Sequence, residues 1–159
     1  SKLSGMGTTL TALALYRDHV SVIHVGDTRA YRLRGDEFTQ LTKDHSVVQE
    51  LIDNGSLTES EAQVHPQRSI LTNVLMGEGN VIPLLISYEA KAGDKFLICS
   101  DGLNSVVTND EIHKNLKNKD AVKNLVELTY ERGAPDNVTI IVAEVGDKDS
   151  ETEFLGAAK

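Results

Sequence analysis

Apolar and polar positions alternate over residues 8–16, where Leu10, Ala12 and Ala14 share one face of an extended chain. Asp18-His19 breaks the pattern as a turn. Apolar runs resume over 20–26 and 29–34, and Gly35-Asp36 folds the chain back into 38–41. Four strands joined by short turns predict an antiparallel meander. The period turns helical after Asp44. Ser46 precedes Val47, Val48, Leu51 and Ile52 and is placed to cap a helix that Asn54-Gly55 ends. Thr58 followed by Glu61 spells a capping box for a second short helix. Pro66 breaks the chain, 70–76 reads equally as a helical turn or a strand, and 77–80 reads as a loop. Residues 45–80 are thus expected as a helical insertion between two groups of strands. Strands return at 81–88 and 95–100. A helix from Asn109 or Asp110 to Leu116 and a longer one from Asp120 to Gly133 precede a last strand, 138–145. Asp147, Asp149, Glu151 and Glu153, with little apolar surface around them, predict an acidic disordered tail over 147–159.

A chain of 159 residues fits one domain. With no Trp and few aromatics, its core must be built from Val, Ile, Leu and Ala. The formal charge of -8 argues against a nucleic-acid partner held by counterion release and against an anionic membrane surface. No apolar run approaches the ~20 residues that a membrane span needs. The lone Cys99 excludes an internal disulfide and suits a reducing compartment, so cytoplasm is the expected location. The chain opens on Ser1, which leaves room for a removed export signal.

The candidate chemistry lies in three aspartates at strand boundaries: Asp27, Asp101 and Asp136. Converging carboxylates make an oxygen-rich site for magnesium or manganese, which points to metal-assisted hydrolysis. Each motif alone has a plainer reading. Ser100-Asp101-Gly102 and Pro135-Asp136-Asn137 are also ordinary turns, and Gly26-Asp27-Thr28-Arg29 is also a hairpin with a local Asp–Arg pair. Three such motifs in one short domain are harder to ascribe to chance. His65, beside Pro66 and Arg68, is a candidate for substrate contact against the usual reading of a solvated histidine. His19, His24, His45 and His113 show no metal spacing; His24 belongs to a strand, as a core or edge residue. Cys99 lacks a basic neighbour to activate it and is expected in the core. Gly5-Met6-Gly7-Thr8-Thr9 is too poor in glycine and lysine for a phosphate-binding loop. Asn137-Val138-Thr139 matches a glycosylation sequon by accident.

The motifs Gly5-Met6-Gly7-Thr8-Thr9-Leu10, Gly26-Asp27-Thr28-Arg29, Thr42-Lys43-Asp44-His45, His65-Pro66-Gln67-Arg68-Ser69, Ser100-Asp101-Gly102-Leu103 and Pro135-Asp136-Asn137-Val138-Thr139 occur in an order that resembles bacterial protein phosphatases of type 2C. These are metal-dependent phosphoserine/phosphothreonine phosphatases with signalling roles. The resemblance runs to about Val145. It implies an α+β fold, a four-layer α/β/β/α sandwich of two antiparallel sheets flanked by helices, with 1–146 as a partial catalytic domain and 45–77 as a flap. It implies a manganese or magnesium pair, with Asp101 and Asp136 on the first metal and Asp27 beside Asp101 on a looser third. It places His65 and Arg68 on the flap near substrate, and phosphorylated Ser/Thr proteins, Ser/Thr kinases among them, as partners.

Two departures from the family pattern bear on activity. Ser105 stands where many members carry another aspartate, which weakens the third metal. The family's phosphate-binding Arg, its Asn-Glu-Asp motif and its Asp-Gly-x-Gly-Gly motif with the metal-bridging aspartate and following His are not found before Met6. The resemblance therefore implies an N-terminally incomplete domain that is weakly active or inactive alone, with bare sheet edges open to dimerisation. The competing expectation is a non-catalytic phosphatase-like binding or regulatory module. A plain α/β domain with three chance turn aspartates ranks below both.

Overall fold

The computed structural model describes residues 5–77 and 81–146, and the backbone of 155–158. Two antiparallel sheets stack on one another. The smaller runs β2 (Leu10–Tyr16), β3 (His19–Val25), β7 (Leu84–Glu89). The larger runs β10 (Leu155–Ala158), β9 (Thr139–Glu144), β8 (Lys95–Cys99), β4 (Arg29–Arg34), β5 (Glu37–Gln40). A separate ribbon pairs β1 (Gly7–Thr8) with β6 (Leu75–Met76). Helices α1 (Val47–Asp53) and α2 (Glu59–Val64) fill the insertion; α3 (Asp101–Asn104), α4 (Asn109–Leu116) and α5 (Ala121–Glu131) follow β8. This is the expected α+β sandwich. Among the described residues no helix is long and apolar enough to cross a membrane.

Two cores explain why the central strands read as nearly continuous apolar runs. Between the sheets, Val20 and Val22 pack with Ala30, Leu41 and Phe96. On the other side of the larger sheet, Tyr31, Leu33, Leu97, Cys99 and Ile140 pack against Ile112, Leu116 and Leu125 of the helices. Strand β8 is therefore apolar on both faces, as the run Phe96-Leu97-Ile98-Cys99, whereas β4 gives Ala30 to one core and Tyr31 and Leu33 to the other and keeps Arg29, Arg32 and Arg34 half-buried between them. The outward positions of the smaller sheet differ: Ile23 and Leu85, partners in its register, are 38% and 65% exposed.

The structure corrects several expectations. The first four long strands do not form one meander. They make two hairpins in two sheets, β2–β3 and β4–β5. The chain crosses between the sheets at Gly26, whose φ of +107° only glycine adopts readily, and whose absent Cβ would sit 2.3 Å from Thr9 Cγ2. Stacking in place of pairing lets Val20, Val22 and Ala30 meet in one core. Asp101 opens a short helix, α3, where a turn was expected. Helix α4 runs from Asn109 to Leu116 as expected, and Thr108 caps it through a capping box with Glu111. Strand β7 begins after Pro83, which has no N–H for a ladder. Residues 155–158 form β10 against β9, so these four depart from the expected disordered tail; backbone pairing to an open edge needs no apolar pattern. The expected acidic stretch 147–154 and most of the expected loop at 77–80 lie outside the described residues.

Candidate metal centre

Strand register brings the three sequence-derived aspartates to one end of the larger sheet. Arg29 pairs with Cys99, and Cys99 with Ile140, so the start of β4, the end of β8 and the start of β9 lie side by side. Asp27 lies just before β4, Asp101 just after β8 and Asp136 just before β9. Antiparallel pairing makes this a necessity once the register is set, because neighbouring strands enter and leave at the same edge.

The loops carrying Asp101 and Asp136 are locked together. Ser100 N–H donates to Thr139 O at 3.0 Å, Thr139 N–H donates to Ser100 Oγ at 3.0 Å, and Ser100 Oγ donates to Asn137 O at 3.2 Å. Gly102 lets them approach, since a Cβ there would lie 2.2 Å from Asn137 O. Asp136 Oδ1 accepts its neighbour's Asn137 N–H at 2.7 Å, which fixes the carboxylate to its own turn.

Asp101 and Asp27 are both perturbed by burial and by a neighbouring carboxylate. Burial pushes the Asp101 carboxyl above the ordinary range, and the charge of Asp136 adds to it. Asp27 is raised likewise, first by burial and then by Asp101. Asp101 thus stands electrostatically between the other two. Carboxylates that repel and are partly desolvated are stabilised by a hard cation, and an all-oxygen donor set suits magnesium or manganese. The set is incomplete, however: among the described residues no group of three or more His, Cys, Asp or Glu is arranged to hold a metal ion. The fit is that of a partial ligand set needing water or further ligands.

The flap residues expected near substrate are bonded within their own segment. His65 Nδ1 accepts Gln67 N–H at 3.2 Å and His65 O accepts Arg68 N–H at 3.1 Å, so both belong to a tight turn. No hydrogen bond or ion pair among the described residues joins either of them to Asp27, Asp101 or Asp136. Ser105 Oγ turns back to Gly102 O at 3.2 Å, inside α3's own turn.

Sequence reasoning missed the strongest charge pair beside the site. Arg29 does not pair with Asp27, as a local hairpin suggested. Its guanidinium forks onto Asp44, with Nε to Oδ1 at 2.9 Å and Nη2 to Oδ2 at 2.8 Å. The two side chains are 24% and 11% exposed. Burial disfavours the Arg29 charge, and Asp44 outweighs that, so the guanidinium is held more firmly protonated than usual. The charge of Asp44 also raises Asp27 and Asp101. The only sequence signal was Asp44 within the motif Thr42-Lys43-Asp44-His45; a pairing across 15 residues has no periodicity to betray it.

Comparison with known proteins agrees with this architecture. The chain matches the protein phosphatase 2C family over residues 1–144. It is 45% identical over 150 residues to the serine/threonine protein phosphatase PstP of Mycobacterium tuberculosis, covering 92% of this chain and 29% of that protein. It is 35% identical over 151 residues to the protein phosphatase PhpP of Streptococcus pneumoniae, covering 92% of this chain and 61% of that one. The crystal structure of M. tuberculosis PstP/Ppp superposes with a TM-score of 0.87 at 44% identity, over 91% of this chain and 63% of that one. The catalytic domain of PstP in complex with two manganese ions gives 0.83 at 41% identity, over 90% and 60%. This chain therefore spans less than two thirds of each of these relatives. With matches of this extent, and the ordered motifs arranged on the expected sandwich, the chain belongs to the protein phosphatase 2C family.

Proposed function

We propose that this chain forms the Asp27–Asp101–Asp136 side of a metal-dependent centre that dephosphorylates phosphoserine and phosphothreonine proteins, Ser/Thr kinases among them. The single observation that carries the reading is the meeting of Asp27, Asp101 and Asp136 at one sheet end, with Asp101 raised by Asp136 and Asp27 raised by Asp101. The manganese in the related PstP structure supports the choice of ion. Asp101 and Asp136 would hold a first manganese or magnesium ion, and Asp27 with Asp101 a weaker further one. Such ions, when bound, acidify a water and neutralise phosphate charge. The residues themselves hold the carboxylates at fixed places before any ligand arrives, through the Ser100–Thr139 and Asn137 bonds. No side-chain nucleophile is required. Cys99, the one thiol, is buried, and burial pushes it up to about 12, which leaves it protonated and inert. A lone buried thiol also suits the cytoplasm.

The incomplete ligand group sets the level of activity expected. Two or three carboxylates leave several positions of an octahedral ion to water, so binding is weak and turnover by this chain alone is low. Calorimetric titration of manganese into the chain tests the reading: the Asp101→Asn/Asp136→Asn double variant should bind at least ~10-fold more weakly. Equal uptake by parent and variant would refute it. The same incompleteness favours one second reading, a phosphatase-like binding module. Manganese-dependent hydrolysis of p-nitrophenyl phosphate, lost in the double variant, separates the enzyme from the module. Dimerisation through the open sheet belongs to this proposal as well.

A further inference from the structure

His45 joins the base of the flap to the corner that carries Asp27. Its N–H donates to Gly26 O at 2.8 Å, and its Nδ1 accepts Gly26 N–H at 3.1 Å. Its own carbonyl accepts Thr72 N–H at 2.9 Å. The next residues close the flap's base: Ser46 bridges to Leu71, and Val47 N–H donates to Ile70 O at 3.0 Å. One residue thus touches both the entry and the exit of the insertion and the glycine preceding Asp27.

The chemistry of the clasp is specific. A ring nitrogen that accepts a backbone N–H carries no proton in that bond, so Nδ1 is the acceptor atom of the clasp and Nε2 the ring's donor side. The neighbouring ring is that of His24, which is fully buried, stacks on His45 with centroids 4.8 Å apart, and is pushed toward neutrality first by its burial. His24 Nε2 meets Lys43 O at 3.0 Å and so donates, which makes its Nδ1 the acceptor for the Thr11 hydroxyl at 2.8 Å. Gly26 is the point where leverage is greatest. Its positive φ sets the direction in which the chain enters Asp27, and Thr9 fills the space where a Cβ would sit.

We propose that His45 is a positioning residue, whose Nδ1 clasps the Gly26–Asp27 corner to the flap base and so couples the place of the Asp27 carboxylate to the flap. The part of this that concerns a ligand rests on the metal reading above; the clasp itself does not. The test uses the 15N-labelled 159-residue chain. Amide exchange is read at Gly26, and paramagnetic broadening by added manganese is read at the amides of Asp27 and Asp101. In His45→Leu, Gly26 exchange should speed up about tenfold, the loss of one hydrogen bond. The manganese concentration that halves the Asp27 signal should rise about tenfold relative to that for Asp101. His45→Asn, whose side-chain oxygen reaches the place of Nδ1, should restore both. His45→Gln, with its amide one bond farther out, should restore neither. Unchanged Gly26 exchange in His45→Leu, or equal rescue by Asn and Gln, overturns the clasp. Faster Gly26 exchange with an unchanged Asp27 response overturns the coupling. If His45→Leu does not fold, the Asn and Gln variants decide by the same two readouts. Failure of the metal reading looks different: manganese then broadens neither Asp27 nor Asp101 in the parent chain, while Gly26 exchange still reports on the clasp.

Discussion

Gly102 and Arg29 show how single residues build the site's edge. Gly102 has no positive φ to excuse its being glycine; what it lacks is space, with Asn137 O where a Cβ would be. Gly102→Ala should therefore push the Asp101 and Asp136 loops apart and destabilise the fold by about 1–3 kcal/mol, read as a lower urea midpoint. The Arg29–Asp44 fork offers a second measurement. Removing one partner leaves a largely buried charge alone, at a cost of about 3 kcal/mol for Arg29→Ala. The Arg29→Ala/Asp44→Ala pair should cost clearly less than the sum of the two single changes in a denaturation cycle. Neither feature could be read from local sequence. Asp101-Gly102 looks like any tight turn, and what excludes a side chain there belongs to a loop 35 positions later.

At the scale of elements, capping explains both what was legible and what was not. Thr58 and Glu61 form the box that their spacing announced. Thr108 and Glu111 have the same spacing, yet Asn109 and Asp110 are equally good cap types and masked it. Backbone geometry decides between them: Thr108 has extended dihedrals, while Asn109 is already helical. Glu111 does more than cap, since its carboxylate also takes the Arg132 guanidinium at the end of α5 and so ties α4 to α5. Arg132 first, and Thr108 second, hold the Glu111 carboxyl at about 2, against an ordinary 4.5. A depressed carboxylate contributes stability that is complete above its unfolded value and disappears as pH falls toward the folded one. Melting temperatures of the parent should therefore lose this contribution between pH 4.5 and about 2. Glu111→Gln should melt lower at neutral pH and show a shallower acid decline over that window.

For the whole molecule, the two faces of the sandwich are unequal. The larger sheet is covered by α4 and α5, while the smaller sheet turns Ile23 and Leu85 outward among Ala12, Ala14, Ser21 and Ser87. Contiguous exposed apolar surface of this kind favours association. Light scattering should show a mass that rises with concentration. Leu85→Lys should return it to that of a monomer while moving stability by no more than ~0.5 kcal/mol, because the side chain is already in water. A constant monomeric mass in the parent would contradict this.

The sequence by itself determined the long strands and the helices α1, α2, α4 and α5, the burial of Cys99, the family order of the motifs and the placing of Asp27, Asp101 and Asp136 at strand boundaries, but not α3 or β10. These depend on side-chain periodicity and turn chemistry within a few residues, which a linear string records. Only the tertiary structure decided that the first four long strands divide between two sheets, that Arg29 turns to Asp44 instead of Asp27, and that His45 grips Gly26. Each of those outcomes is a choice among partners distant in sequence. Burial of shared apolar faces fixes the stacking first, and the polar groups then pair with whatever that stacking has brought within reach.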